Sequence, residues 1–485
     1  MSSAARWGIL TREPARPALV RDWPYAGWVA VGTVCLGAFM GQLDASIVTL
    51  IYQPLQVEFG VSLAAVQWVS LAYLLGLTAL LIPVGRLADV HGRKLTYTYG
   101  FVVFSLASLA CGLAPSLAAL TGFRLVQALG AALLQANSVA LVTTSAPEGR
   151  RRAALGVQAA AQALGLALGP TIGGILVSTL GWRWVFGINV PIGAVAVVAG
   201  LFLLPRTRHR TAAGPWDHLG TLLLAASTTT LLLGMSVVAG LGPPAWVAAP
   251  LLVVAAAAAA AFVARQRRAT TPLLDRTLVA DRTVAYGLLG ALCGYLVLFG
   301  PLVLVPLVVT RSGGSAMHAG LVLTALPAGF ALAAAGAERV LPPRWTDRRR
   351  STAGAALAVA ALAALLVVPL TAPWMAGLLA LLGLGLGLFS PANNSQVMGA
   401  ISLKAAATGG GLVNMARSLG TALGVALVTL ALSVLPGPTG GPRLAVAILA
   451  GAALAAVLTT RATGHEEKAE HGEEVNPGSA PVSLR

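Results

Sequence analysis

One acid, Asp44, lies deep inside an apolar stretch of this chain, in the string QLDASIV from Gln42 to Val48. A carboxylate in hydrocarbon is costly to keep, so it is by default a candidate proton carrier or counter-ion. Asp217 and Glu338 lie only at the ends of apolar stretches. Arg124, inside another stretch, is the partner expected for Asp44, because counting from the predicted segment ends puts both at similar depth. Arg124, Gln127, Ala131 and Gln135 recur at helical spacing and give one polar stripe, expected to face inward. A neighbouring cation favours the charged carboxylate, whereas burial favours the neutral acid. A bulky cationic or polar molecule entering the same space can tip that balance and release a proton. The bland alternative is a static Asp44–Arg124 bridge that locks two helices together.

Other reaction chemistry is missing from the sequence. There is no GxxxxGK[ST] loop for nucleotide phosphates and no GxSxG elbow. The six histidines (His91, His209, His218, His318, His465, His471) fall in gaps, segment ends or the C-terminal tail, without an HExxH pair. Cys35, Cys111 and Cys293 all sit within apolar segments, so no disulfide framework is expected. Neither an enzyme nor a resident metal or cofactor is expected.

The elements that must position these residues are membrane spans. Of 485 residues 57% are hydrophobic and 10% charged, with a mean hydropathy of +0.82. Soluble chains carry charge at about a quarter of positions. Fourteen segments long enough to span a bilayer are predicted, at 27–50, 63–83, 97–113, 119–145, 153–178, 184–204, 217–240, 245–264, 283–310, 318–338, 352–370, 374–391, 405–434 and 443–460. Lys and Arg collect in alternate gaps, while the gaps between hold Arg183, Arg311 and Arg443 alone. By the positive-inside rule both termini are then cytoplasmic. The net charge of +16 therefore marks orientation rather than a nucleic-acid surface.

The predicted layout is a polar leader over 1–26, a six-helix bundle over 27–204, a central pair of helices with flanking loops over 205–282, a second six-helix bundle over 283–461 and a disordered tail over 462–485. Two equal six-helix halves are the pattern of parallel repeats in transporters. Between segments 2 and 3 the chain reads GRLADVHGRK, where Gly85 and Gly92 suit a tight loop and Asp89 stands among Arg86, Arg93 and Lys94. In segment 5, Gly156, Gly165, Gly169-Pro170 and Gly173-Gly174 leave a side-chain-free groove for close helix approach, with a bend at Pro170.

Those two strings resemble the cytoplasmic gating loop and the antiporter signature of the major facilitator superfamily. Taken with QLDASIV, with Trp68 and Tyr73 in VQWVSLAYLL, and with WRWVFGINVPIG from Trp182, the chain is similar to the fourteen-helix drug:proton antiporter (DHA2) family. Helices 12 and 13 add Gly383, Gly385, Gly387, Pro391 and Asn394, then Gly411, Asn414, Arg417, Gly420 and Gly424. The likeness is strongest over 37–193 and looser between 206 and 350. It departs at Ala128, where the family has glycine after Arg and Gln.

The resemblance implies an all-α integral membrane protein of the major facilitator fold, arranged 6 + 2 + 6. It implies proton-coupled export of drugs, antibiotics or secondary metabolites from a bacterial cell by alternating access, with the proton gradient as energy source. Asp44 and Arg124 carry the coupling. Asp89 and Arg93 form the latch with Gly85, Gly92 and Lys94. Tyr73, Gln127, Gln135, Tyr295, Asn394 and Asn414 are cleft candidates, with Phe299 and Phe389 as further aromatics. The expected partners are a small amphipathic molecule, protons and the lipid bilayer, with the chain working as a monomer in the cytoplasmic membrane and no nucleic acid involved. The second half lacks the extra acids of divalent-cation exporters, which points to monovalent, zwitterionic or neutral cargo. Rival readings are export of an endogenous metabolite (an amino acid, siderophore or peptide) and a non-transporting sensor on the same fold.

Overall fold

A computed structural model describes residues 13–462 apart from 213–214, 239–243, 270–271, 276–279, 314, 343, 436 and 438. The first twelve residues of the leader and the tail from 463, expected to be disordered, lie outside the described residues. Among the described residues, fourteen helices are long and apolar enough to cross a membrane. They are α1 (Ala26–Ile47), α2 (Leu63–His91), α3 (Arg93–Gly112), α4 (Leu117–Ser145), α5 (Arg151–Thr179), α6 (Asn189–Leu203, led by the short helix Arg183–Gly187) and α7 (His218–Val238). They continue with α8 (Ala248–Arg268), α9 (Arg282–Phe299, prolonged by Pro301–Arg311), α10 (Ala316–Val340), α11 (Asp347–Val367), α12 (Ala372–Ala400), α13 (Ala406–Val434) and α14 (Gly440–Ala462). Large apolar side chains such as Leu106, Val195 and Leu332 remain more than half exposed, as a lipid-facing surface requires.

The helix ends follow local chemistry. Ser116, Asp281 and Thr346 cap α4, α9 and α11 by accepting main-chain N–H bonds of the first turn. Two differences from the sequence reading share one cause. α2 runs on through Pro83 to His91, and α12 runs through Pro391 to Ala400. Apolar runs mark where lipid stops, not where hydrogen-bonded turns stop. The stretch from Gly85 is consequently helix rather than loop, and Gly92 (φ 117°) alone turns the chain into α3. α1 is likewise prolonged by a 3-10 turn and the helix Tyr52–Phe59, because Ile51 and Leu55 keep packing inward. α5 is one continuous helix through Pro170.

Four pairings recur in both halves. α1 packs on α5 as α9 does on α13, and α2 on α4 as α10 on α12. α3 packs on α4 as α11 on α12, and on α6 as α11 on α14. The halves then meet by equivalent exchanges, α2 on α13 and α10 on α5. This is the signature of a parallel repeat. The pair α7–α8 departs from that symmetry: the two helices pack on each other, and α7 rests against α2 and α13.

Candidate functional site

The α5 glycines set the spacing of the first half. A methyl group on Gly165 would lie 2.5 Å from the Phe39 carbonyl oxygen of α1, and one on Gly173 would lie 2.5 Å from Ile47 Cγ1. One on Gly169 would overlap Ser46 Oγ. Gly156 serves the other interface, where a methyl would overlap the Ala334 carbonyl of α10. Gly174 is exposed, with open space before it, and takes no part in the groove. Leucine at Gly165, Gly169 or Gly173 is therefore expected to cost about 1–3 kcal/mol by overpacking and to abolish transport in protein that still inserts. Gly174→Leu is expected to transport normally. Membrane abundance measured beside efflux checks both outcomes.

With α1 held against α5, Asp44 reaches a closed polar cluster. Asp44 is 0% and Arg124 1% exposed. Asp44 Oδ2 accepts from Arg124 Nη1 at 2.7 Å. Its Oδ1 accepts from Gln127 Nε2 at 2.9 Å and Asn189 Nδ2 at 3.1 Å. Gln127 Oε1 in turn accepts from Arg124 Nη1 at 2.6 Å, and Gln127 Nε2 donates to Ser108 Oγ at 2.7 Å. Arg124 Nε donates to the Val69 carbonyl at 3.2 Å, and its guanidinium lies 4.1 Å from the Tyr73 ring centroid. The Tyr73 hydroxyl is buried without a partner among the described residues.

Asn189 and Ser108 were missed in the sequence. Asn189 stood within WRWVFGINVPIG, where its position at the start of α6, after the break at Ile188, was the one available signal. Ser108 gave none, since serine in a membrane helix usually bonds its own backbone.

In front of this cluster lies a cavity of about 230 Å³ between the halves. Of the cleft candidates, Tyr73, Gln135, Tyr295 and Asn414 line it, as does Phe299. Gln127 stands behind Arg124 instead. Asn394 is buried in α12 away from the cavity lining, and Phe389 packs beside Gly294. Arg124 lines the cavity but Asp44 does not. The direct contact between cargo and Asp44 expected from the sequence is therefore not offered by this cavity, which presents Arg124 instead.

Asp89 and Arg93 join α2 and α3 to the start of α13. Asp89 Oδ1 accepts from Arg93 Nη2 at 2.8 Å and Ala407 N at 2.9 Å, while Oδ2 accepts from Thr408 N and Thr408 Oγ1, both at 2.8 Å. The carboxylate thus caps α13 at the positive end of its dipole. Arg93 also donates to the Leu403 carbonyl. Gly85 gives this approach its room, since a methyl there would lie 2.6 Å from the Ala407 carbonyl oxygen.

Arg86 and Lys94, expected around Asp89, turn elsewhere. Arg86 donates to the Pro272 carbonyl and Lys94 to the Pro14 carbonyl of the leader. At the equivalent place in the second half, Arg152 of α5 bridges Glu338 and Asp347, each at 2.6 Å.

Two equivalent helix bundles around a central cavity, joined at one end by ion pairs, define a membrane transporter. Residues 34–425 match the family described as Major Facilitator Superfamily, and the chain belongs to it. It is 30% identical over 414 residues to the riboflavin transporter RibZ of Clostridioides difficile, covering 82% of this chain and 87% of that one. It is 31% identical over 416 residues to the methylenomycin A resistance protein of Streptomyces coelicolor, covering 84% and 85%. The crystal structure of the human organic anion transporter MFSD10 shares the fold, with a TM-score of 0.67 at 17% identity over 90% of this chain and 99% of that one.

Proposed function

We propose that the chain is a proton-driven antiporter exporting drugs, antibiotics or secondary metabolites across the bacterial cytoplasmic membrane. One observation carries the reading: a fully buried carboxylate, ion-paired to an arginine that itself faces the cavity between the halves. With the termini read as cytoplasmic from the charge asymmetry of the gaps, the contacts of Asp89 and Arg93 with α13 support an outward-facing state. A proton entering from outside neutralises Asp44 and removes the attraction to Arg124. Arg124 then shifts its weight toward Tyr73, the Val69 carbonyl and the cavity, coupling protonation to the packing of α1, α2 and α4. Loss of the proton to the cytoplasm restores the pair.

The similarity to a resistance protein favours xenobiotic or antibiotic cargo, and that to a riboflavin transporter supports an endogenous metabolite as the alternative. A susceptibility panel in an efflux-deficient host identifies the best-exported compound. A protonophore is expected to abolish its efflux, while ATP depletion at constant gradient is expected to leave efflux unchanged. Efflux that persists under a collapsed gradient contradicts the antiporter reading.

A further inference from the structure

The mechanism above leaves one buried charge unused. Arg417 of α13 is 5% exposed and lines the cavity opposite Arg124. Its Nη1 donates to Asn414 Oδ1 at 3.2 Å, and its guanidinium lies 5.0 Å from the Tyr295 ring centroid. Among the described residues it has no acidic partner, and its buried Nε finds no acceptor. No Asp or Glu lines the cavity among the described residues. Arg124 is neutralised by Asp44 behind it, so the cavity keeps one net positive charge, that of Arg417.

A desolvated guanidinium without a counter-ion is destabilising, and such a residue inside a membrane is retained where a ligand completes it. Nη1 is engaged by Asn414 and the unbonded Nε is enclosed, which leaves Nη2 as the unbonded N–H group outside that enclosure. A charged N–H there pairs with an oxygen of a carboxylate or a similar oxyanion. Beside it, Tyr295 and Phe299, stacked with ring centroids 6.0 Å apart and an interplanar angle of 20°, also line the cavity and give aromatic contact to a conjugated body.

We propose that Arg417 is the recognition residue for an anionic group on the exported molecule, and that the cargo is a flat, conjugated organic anion. This assignment rests on the export reading above and names its substrate class. It also fits the position of Asp44, which is screened from the cavity by Arg124 and so is not offered to a cationic cargo.

The test compares two probes with one tricyclic scaffold, anionic fluorescein and cationic rhodamine 123, by equilibrium fluorescence polarisation on the full chain in phosphatidylcholine nanodiscs at mildly alkaline pH. Wild-type protein is expected to bind fluorescein more tightly than rhodamine 123. Arg417→Gln is expected to weaken fluorescein binding by about tenfold or more while leaving rhodamine 123 within about twofold, the size of one lost charge-assisted bond. Arg417→Lys is expected to fall between, since it keeps a point charge but not the fork.

Wild-type protein that fails to prefer fluorescein, or Arg417→Gln protein that binds it as wild type does, overturns the proposal. If Arg417→Gln loses both probes, Arg417→Lys decides. Weakened fluorescein with retained rhodamine 123 supports the site, and equal binding of both overturns it. Displacement of fluorescein by added phosphatidylglycerol would reassign the site to a lipid headgroup and overturn it as a cargo site. Binding here is read without a proton gradient, so failure of proton coupling leaves these outcomes unchanged, and their failure leaves the Asp44 mechanism standing.

Discussion

Asp44→Asn is expected to abolish uphill export while leaving substrate binding measurable. The amide keeps the shape of the side chain and can still accept from Arg124, but it carries no titratable proton and no charge. Gln127 and Asn189 both donate to Asp44 Oδ1 and would face an amide of similar size, so the cluster is not emptied. What is lost is the counter-charge of Arg124, which is 1% exposed. A stranded buried charge costs on the order of 3–5 kcal/mol, more than the pair contributes when intact. Part of any defect is therefore folding, and membrane abundance and thermal midpoint belong beside the transport assay. Asp44→Glu is expected to retain some activity, because the carboxylate survives with a longer reach.

The second large effect separates a proton site from a structural lock. Asp44→Asn combined with Arg124→Gln removes both charges, and replacing a buried ion pair by neutral groups is often close to neutral in stability. Arg124→Gln alone is expected to be the worst of the three, because it leaves an unpaired carboxylate held only by Gln127 and Asn189. The double variant is expected to regain most of the lost thermal stability yet to remain unable to concentrate substrate against a gradient. Recovery of stability and of uphill transport together would show that the pair only holds α1 to α4. Stability is read from the thermal midpoint in detergent, and transport from vesicles with an imposed pH difference.

Much of this architecture was legible because membrane helices obey one strong rule: an apolar run long enough to span must close its own backbone bonds. All fourteen spans followed from that, and so did the Asp44–Arg124 pairing, because depth along two antiparallel helices can be counted. The polar stripe on α4 was visible for the same reason: Arg124, Gln127 and Ala131 are buried and Gln135 lines the cavity.

What escaped depends on contacts that periodicity does not encode. Asn189 and Ser108 complete the acid's shell from two further helices, and neither lies at a spacing that singles it out. Gly85 looked like a turn residue and proved to be a site of close approach to α13, a distinction set by the partner rather than by the residue. Glu338 stood out only as an acid at a segment end and Asp347 not at all, yet Arg152 reaches both across the interface. Arg417 was visible as a residue within a span, but its lack of an acidic partner among the described residues could be known only once the side chains around it were placed.

The most direct measurement is the proton released when substrate binds. Purified protein in weakly buffered detergent solution is mixed with the best-exported compound of the susceptibility panel, and the pH change is followed with a soluble indicator over a series of starting pH values. The account predicts proton release from wild-type protein and none from Asp44→Asn, at substrate concentrations that saturate both. Equal release from the two proteins would place the coupling proton on another group and contradict the assignment of Asp44.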